Sequence, residues 1–64
     1  MITIHGNISA RQAADRFAAT NWYEPRLVAK FRFHGDCYTF HLVNGITKYR
    51  IDPVPSGWQI KEVL

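Results

Sequence analysis

From Lys30 to Arg50 the chain reads KFRFHGDCYTFHLVNGITKYR, with aromatic and aliphatic side chains alternating with basic, histidine and hydroxyl ones. Alternation at period two is the mark of strands with one buried and one solvated face. Two turn signals divide it. Gly35-Asp36 and Asn44-Gly45 have the composition of two-residue hairpin loops, in which the central positions take positive φ. A third break, Asp52-Pro53-Val54-Pro55-Ser56-Gly57, reads as a six-residue loop before a last strand within Trp58 to Val63.

The N-terminal part follows a different period. Ile2 and Ile4 alternate with Thr3 and His5, which predicts a short strand ended by Gly6 and Asn7. Ser9 and Gln12 then match the capping box, whose two side chains satisfy orphan amide donors at a helix start. A helix is expected from about Ala10 to Thr20, with Ala10, Ala13, Ala14, Phe17 and Ala18 on one face. Asn21 to Pro25 should end it, because the residue before a proline is pushed out of the α region. The predicted architecture is a single two-layer α+β domain spanning residues 1–64. It has a short N-terminal strand and one helix on an antiparallel meander of three or four strands.

Turns fix register, and register fixes which side chains share a face. The first hairpin sets Phe33 opposite Tyr38, Phe31 opposite Phe40 and Ala29 opposite Leu42. The second sets Phe40 opposite Tyr49 and Tyr38 opposite Ile51, and a six-residue third loop would set Ile51 opposite Trp58 and Tyr49 opposite Ile60. Both complete hairpins place Tyr38, Phe40 and Leu42 on one apolar face, which is the expected core.

The other face then carries Lys30, Arg32, Thr39, His41, Lys48, Arg50, Gln59 and Lys61, with Val28, Val43, Ile46 and Val63 grouped at one end. The five carboxylates are expected elsewhere: Asp15 on the helix, Glu24 in the bend, Asp36 in a turn, Asp52 at a strand end and Glu62 on the opposite face. Solvated sheet faces usually mix both charge signs, so a face of one sign points to a negative partner. Lys30, Arg32, His41, Lys48, Arg50 and Lys61 are the candidate partner-binding residues. Trp22 and Tyr23, beyond the helix, are candidates for a second interface, such as a homodimer seam, or else plug the core at the helix end.

Composition narrows the classes. With 47% hydrophobic and 14% aromatic residues, the 64-residue chain can bury enough surface to fold. Its formal net charge of +3 suits an acidic protein surface or nucleic acid and argues against mimicry of DNA. One cysteine, Cys37, cannot form an internal disulfide, and the N-terminal MITIHGNISARQ lacks the apolar run of a signal peptide. An intracellular, cytoplasmic site of action is expected, with no membrane span.

No catalytic or cofactor motif is complete. His34, Cys37 and His41 suggest zinc by spacing, but Cys37 and His41 are four strand steps apart, too far to share one tetrahedral ion. A Cys–His nucleophile would need an orienting group and a pocket that a tight hairpin end does not supply. The glycines are dispersed and mark turns, so no phosphate loop exists. The expectation is a non-enzymatic module with neither metal nor cofactor.

Nucleic acid is the alternative partner. Sheet-face readers of single strands stack bases on exposed aromatics, and here the rings map to the core side. Only nonspecific phosphate contact through the basic face would remain.

The capped helix SARQAADRFAA followed by the meander KFRFHGDCYTFHLVNGITKYR, in one cysteine-poor domain, resembles in format the small inhibitor proteins of phages and mobile elements, anti-CRISPR proteins among them. The resemblance implies inhibition by occupying a surface of a nucleoprotein complex. It assigns no role to any residue, and the positive charge departs from the DNA-mimicking members.

Overall fold

The computed structural model describes residues 1–20 and 26–63. Trp22 and Tyr23 lie outside the described residues, and so does the bend that contains them. The elements are β1 (Ile2–His5), α1 (Ala10–Thr20), β2 (Val28–Phe33), β3 (Tyr38–Leu42), β4 (Lys48–Val54) and β5 (Gly57–Val63). The strands form one antiparallel sheet in the order β1-β5-β4-β3-β2, with α1 packed on one face. The α+β architecture is as expected, but the sheet has five strands: the meander has four, and β1 adds beside β5.

Helix α1 begins where its cap dictates. The Ser9 hydroxyl accepts from Gln12 N at 3.1 Å, and the Gln12 side chain accepts from Ser9 N at 2.9 Å. Ala10, Ala13, Ala14, Phe17 and Ala18 are all buried. Alanines bring the helix close to the sheet, and Phe17 supplies the bulk. Its ring meets Phe40 edge-on at 5.8 Å and Tyr49 at 4.9 Å, while Phe40 stacks on Tyr49 at 5.3 Å. Phe40, Ile51 and Ile60 are fully enclosed beside them.

An eleven-residue helix covers only the middle of this face. At its margins Phe31, Tyr38 and Trp58 are half-buried, and Phe33 is exposed. The Arg11 guanidinium lies 5.6 Å from the Phe31 ring centre and shields part of it. Trp58 donates its indole N–H to the Ile8 carbonyl at 2.7 Å, fastening β5 to the lead-in of the helix.

The pairings Phe33↔Tyr38, Tyr38↔Ile51 and Phe40↔Tyr49 follow the expected register. The Gly35-Asp36 loop is closed by His34 N donating to the Cys37 carbonyl at 2.9 Å. At the second turn Gly45 N donates to the Leu42 carbonyl at 2.8 Å, and Asn44 takes a φ of 65°. The flanking strands part earlier than a two-residue loop would require, β3 ending at Leu42 and β4 starting at Lys48.

Four expected pairings are corrected: Phe31 with Phe40 and Ala29 with Leu42 in the first hairpin, and Ile51 with Trp58 and Tyr49 with Ile60 in the last. Between Ala29 and Arg32 strand β2 carries a bulge, with Lys30 at a φ of 54°. An inserted residue reverses the alternation beyond it. Val28, not Ala29, therefore faces Leu42 and packs against the core, and Ala29 faces His41.

The last hairpin is also tighter than a six-residue loop. Val54 pairs with Gly57 across Pro55-Ser56, so Ile51 meets Ile60 instead of Trp58 and Tyr49 meets Glu62 instead of Ile60. A slip of two residues keeps every side chain on its expected face. Pro53 is tolerated within β4 because pairing with β3 stops at Tyr38↔Ile51, leaving no ladder partner for its missing N–H.

Candidate partner-binding face

The sheet face away from α1 is uncovered by any described element. Its side chains form rows across the strands. Arg32 pairs with Thr39, Thr39 with Arg50 and Arg50 with Lys61, one row over four strands and about 14 Å from end to end at the usual strand spacing. Two residues along, Ala29 pairs with His41 and Lys48 with Val63, and the Phe40↔Tyr49 register carries His41 beside Lys48. Five of the six expected site residues, Arg32, His41, Lys48, Arg50 and Lys61, thus fall in two adjacent rows. Lys30 does not join them, because the bulge removes it from the ladder.

Arg50 and Lys61 face each other directly, which like charges make unfavourable. Asp52 relieves this. It was expected in a loop at a strand end, but the short final hairpin keeps it inside β4, on the basic face and opposite Gln59. Its carboxylate forms an ion pair with the Arg50 guanidinium at 3.0 Å. That hydrogen bond, reinforced by the carboxylate's charge, pushes the Arg50 pKa further up and keeps the guanidinium charged. Placing the proline-rich stretch in a loop concealed Asp52, although its i,i+2 spacing from Arg50 is the signal that would have found it once the strand was extended.

Thr39 and Cys37 are buried among these longer neighbours. His34 Nε2 and Thr39 Oγ1 share a hydrogen bond at 2.7 Å. Burial raises the Cys37 thiol pKa, with the Asp36 and Asp52 carboxylates acting in the same direction and Arg50 opposing. A thiol held protonated is a poor nucleophile. Among the described residues no group of three His, Cys, Asp or Glu side chains is placed to hold a metal ion. No described helix is long and apolar enough to cross a membrane.

The described rings lie on the other side or at its margin: Phe31, Tyr38, Phe40, Tyr49 and Trp58 all pack in or against the core. Among the described residues the open face therefore offers cations, hydroxyls, aliphatic groups and the His41 imidazole, but no Phe, Tyr or Trp ring on which a base could stack. No family model matches the chain, and neither a curated protein nor a solved structure matches it.

Proposed function

We propose that the chain is a non-enzymatic binding module that docks its open basic sheet face on an acidic surface of a partner protein or nucleoprotein complex. Its action would be that of a small inhibitor or accessory protein of the anti-CRISPR kind, working inside the cell. The observation that supports this reading is the pair of adjacent rows in which Arg32, Arg50, Lys61, His41 and Lys48 gather around one internally paired carboxylate. Such a field steers a negative partner into register before close contact forms.

The test is a titration of isotope-labelled protein with a glutamate-rich peptide, and separately with random-sequence DNA and RNA, at low salt. The peptide is expected to shift the amides of Arg32, His41, Lys48, Arg50 and Lys61. Lys48→Glu combined with Arg50→Glu should abolish the shifts while the circular dichroism spectrum stays that of the folded chain. Unchanged peptide binding in that folded variant would sink the reading. Binding of random nucleic acid in place of the peptide, lost steeply with salt, would replace it with phosphate contact.

A further inference from the structure

Strand β1 is the last strand on its side of the sheet, and its backbone is satisfied on one side only. Gly6 N donates to the Ser56 carbonyl at 2.9 Å, one step beyond the His5↔Gly57 pair. Bonded and non-bonded positions alternate along an antiparallel ladder, so Ile2 and Ile4 turn their N–H and C=O groups toward β5. Thr3 and His5 turn theirs outward, where no described strand lies to receive them. The register is unbroken over the whole of β1, and the strand contains no Lys, Arg, Asp, Glu or Pro. Charge, proline and bulges are the devices that keep an outer strand from pairing, and β1 has none of them.

We propose that β1 pairs with β1 of a second copy of this chain, antiparallel, about a two-fold axis that passes beside Ile4. Residues opposed in a ladder must share a face. Setting Thr3 of one copy opposite His5 of the other, and the reverse, meets that condition and closes every outward backbone group of both residues. Ile4 then meets Ile4 on the helix side, where each is half-buried and still has apolar surface to cover. Charge selects the occupant. A second copy brings no charged side chain in its own β1 to the seam, whereas an acidic strand would find no cation on β1 to answer it. The axis stands perpendicular to the sheet, so both open basic faces come to lie on the same side of the joined sheet. The pairing does not depend on what those faces bind. A contact between strands this short falls well below the roughly 1,000 Å² of lasting interfaces, so the association is weak and reversible.

Sedimentation of the whole chain between about 10 µM and about 1 mM, where weak association becomes visible, tests the proposal. The mean mass is expected to climb toward that of a dimer, and over the same range the amide signals of Thr3 and His5 should shift more than those of Ile2 and Ile4. Thr3→Pro deletes one outward N–H and leaves the bonds to β5, so it should hold the chain monomeric throughout with an unchanged circular dichroism spectrum. Thr3→Lys keeps that donor and places a charge at the seam. It should also suppress the dimer, and it decides the matter if proline unsettles β1. A mass that stays monomeric at the highest concentration would overturn the proposal. A dimer that forms undiminished in the folded variants, or that leaves the Thr3 and His5 amides unshifted, would place the seam elsewhere and overturn it as well.

Discussion

Arg50 donates through Nε to both carboxylate oxygens of Asp52, at 3.1 and 3.0 Å, along the same face of a single strand. The two side chains are two residues apart, so the strand itself sets their approach. The contact engages the inner edge of the guanidinium and neutralises the one place where two cations meet directly across strands. Asp52→Asn should therefore uncover the Arg50–Lys61 repulsion. Chemical unfolding is expected to show only a small loss, since the Arg50 side chain is 40% exposed and its pair is screened by solvent. The same variant should associate with an acidic peptide about two- to threefold faster at low salt, a gain that vanishes at high salt. A slower association at low salt would mean that Asp52 aligns Arg50 for binding.

Gly57→Ala tests how β1 is held. Gly57 takes a φ of 153°, and a Cβ there would run into the Ile4 carbonyl oxygen. Strand β1 would have to leave its place beside β5. The expected result is loss of protection of the β1 amides in hydrogen exchange and a destabilisation of about 1–3 kcal/mol. Retained protection would show that the sheet can accommodate the methyl group by a shift elsewhere.

Phe40→Ala removes the ring on which Phe17 and Tyr49 converge. The side chain is fully enclosed, so the cost should be about 3–5 kcal/mol, enough to unfold much of a chain this small at room temperature. Urea unfolding monitored by circular dichroism measures it, and a loss below about 1 kcal/mol would displace Phe40 from the centre of the core.

Alkaline pH should weaken the fold in two stages. Burial raises the pKa of both the Cys37 thiol and the Tyr49 phenol, and the Glu62 carboxylate pushes Tyr49 the same way while Arg26 and the Thr47 hydrogen bond pull it back. A raised folded-state pKa favours the protonated form. The resulting stability is complete below the ordinary values, about 8.5 for a thiol and 10 for a phenol, and is lost as pH climbs through the folded ones. Unfolding free energies from pH 7 to 11 should fall from about pH 9 onward, and Cys37→Ser should remove the lower stage alone. Stability that stays level to pH 11 would contradict both assignments.

Local chemistry and register made most of the fold legible. Ser9 and Gln12 announced the helix start, and the Gly35-Asp36 and Asn44-Gly45 turns dictated Phe33↔Tyr38 and Phe40↔Tyr49. Pro53 misled because proline is rare inside strands, yet β4 outruns its neighbour β3 at that point and no bond is forfeited. Asp52 was misplaced with it. Lys30 carried no signal for its φ of 54°, since glycine or asparagine is the usual sign of that conformation. The position of β1 depends on contact between opposite ends of the chain, which no local pattern encodes. Register alone thus gathers Arg32, His41, Lys48, Arg50 and Lys61 on the face where they were expected, while Lys30 leaves it and Asp52 joins it.

The bulge that withdraws Lys30 from the basic rows acts on the sheet as a whole. Strand β2 is an outer strand, and an outer strand with regular unpaired amides invites another chain to continue the sheet. With the ladder broken between Ala29 and Arg32, an incoming strand meets a kinked backbone and two basic residues where it would need a straight run of donors and acceptors. The irregularity that costs the face one cation thus makes the β2 edge a poor template for an added strand, while the opposite edge, β1, keeps a regular register.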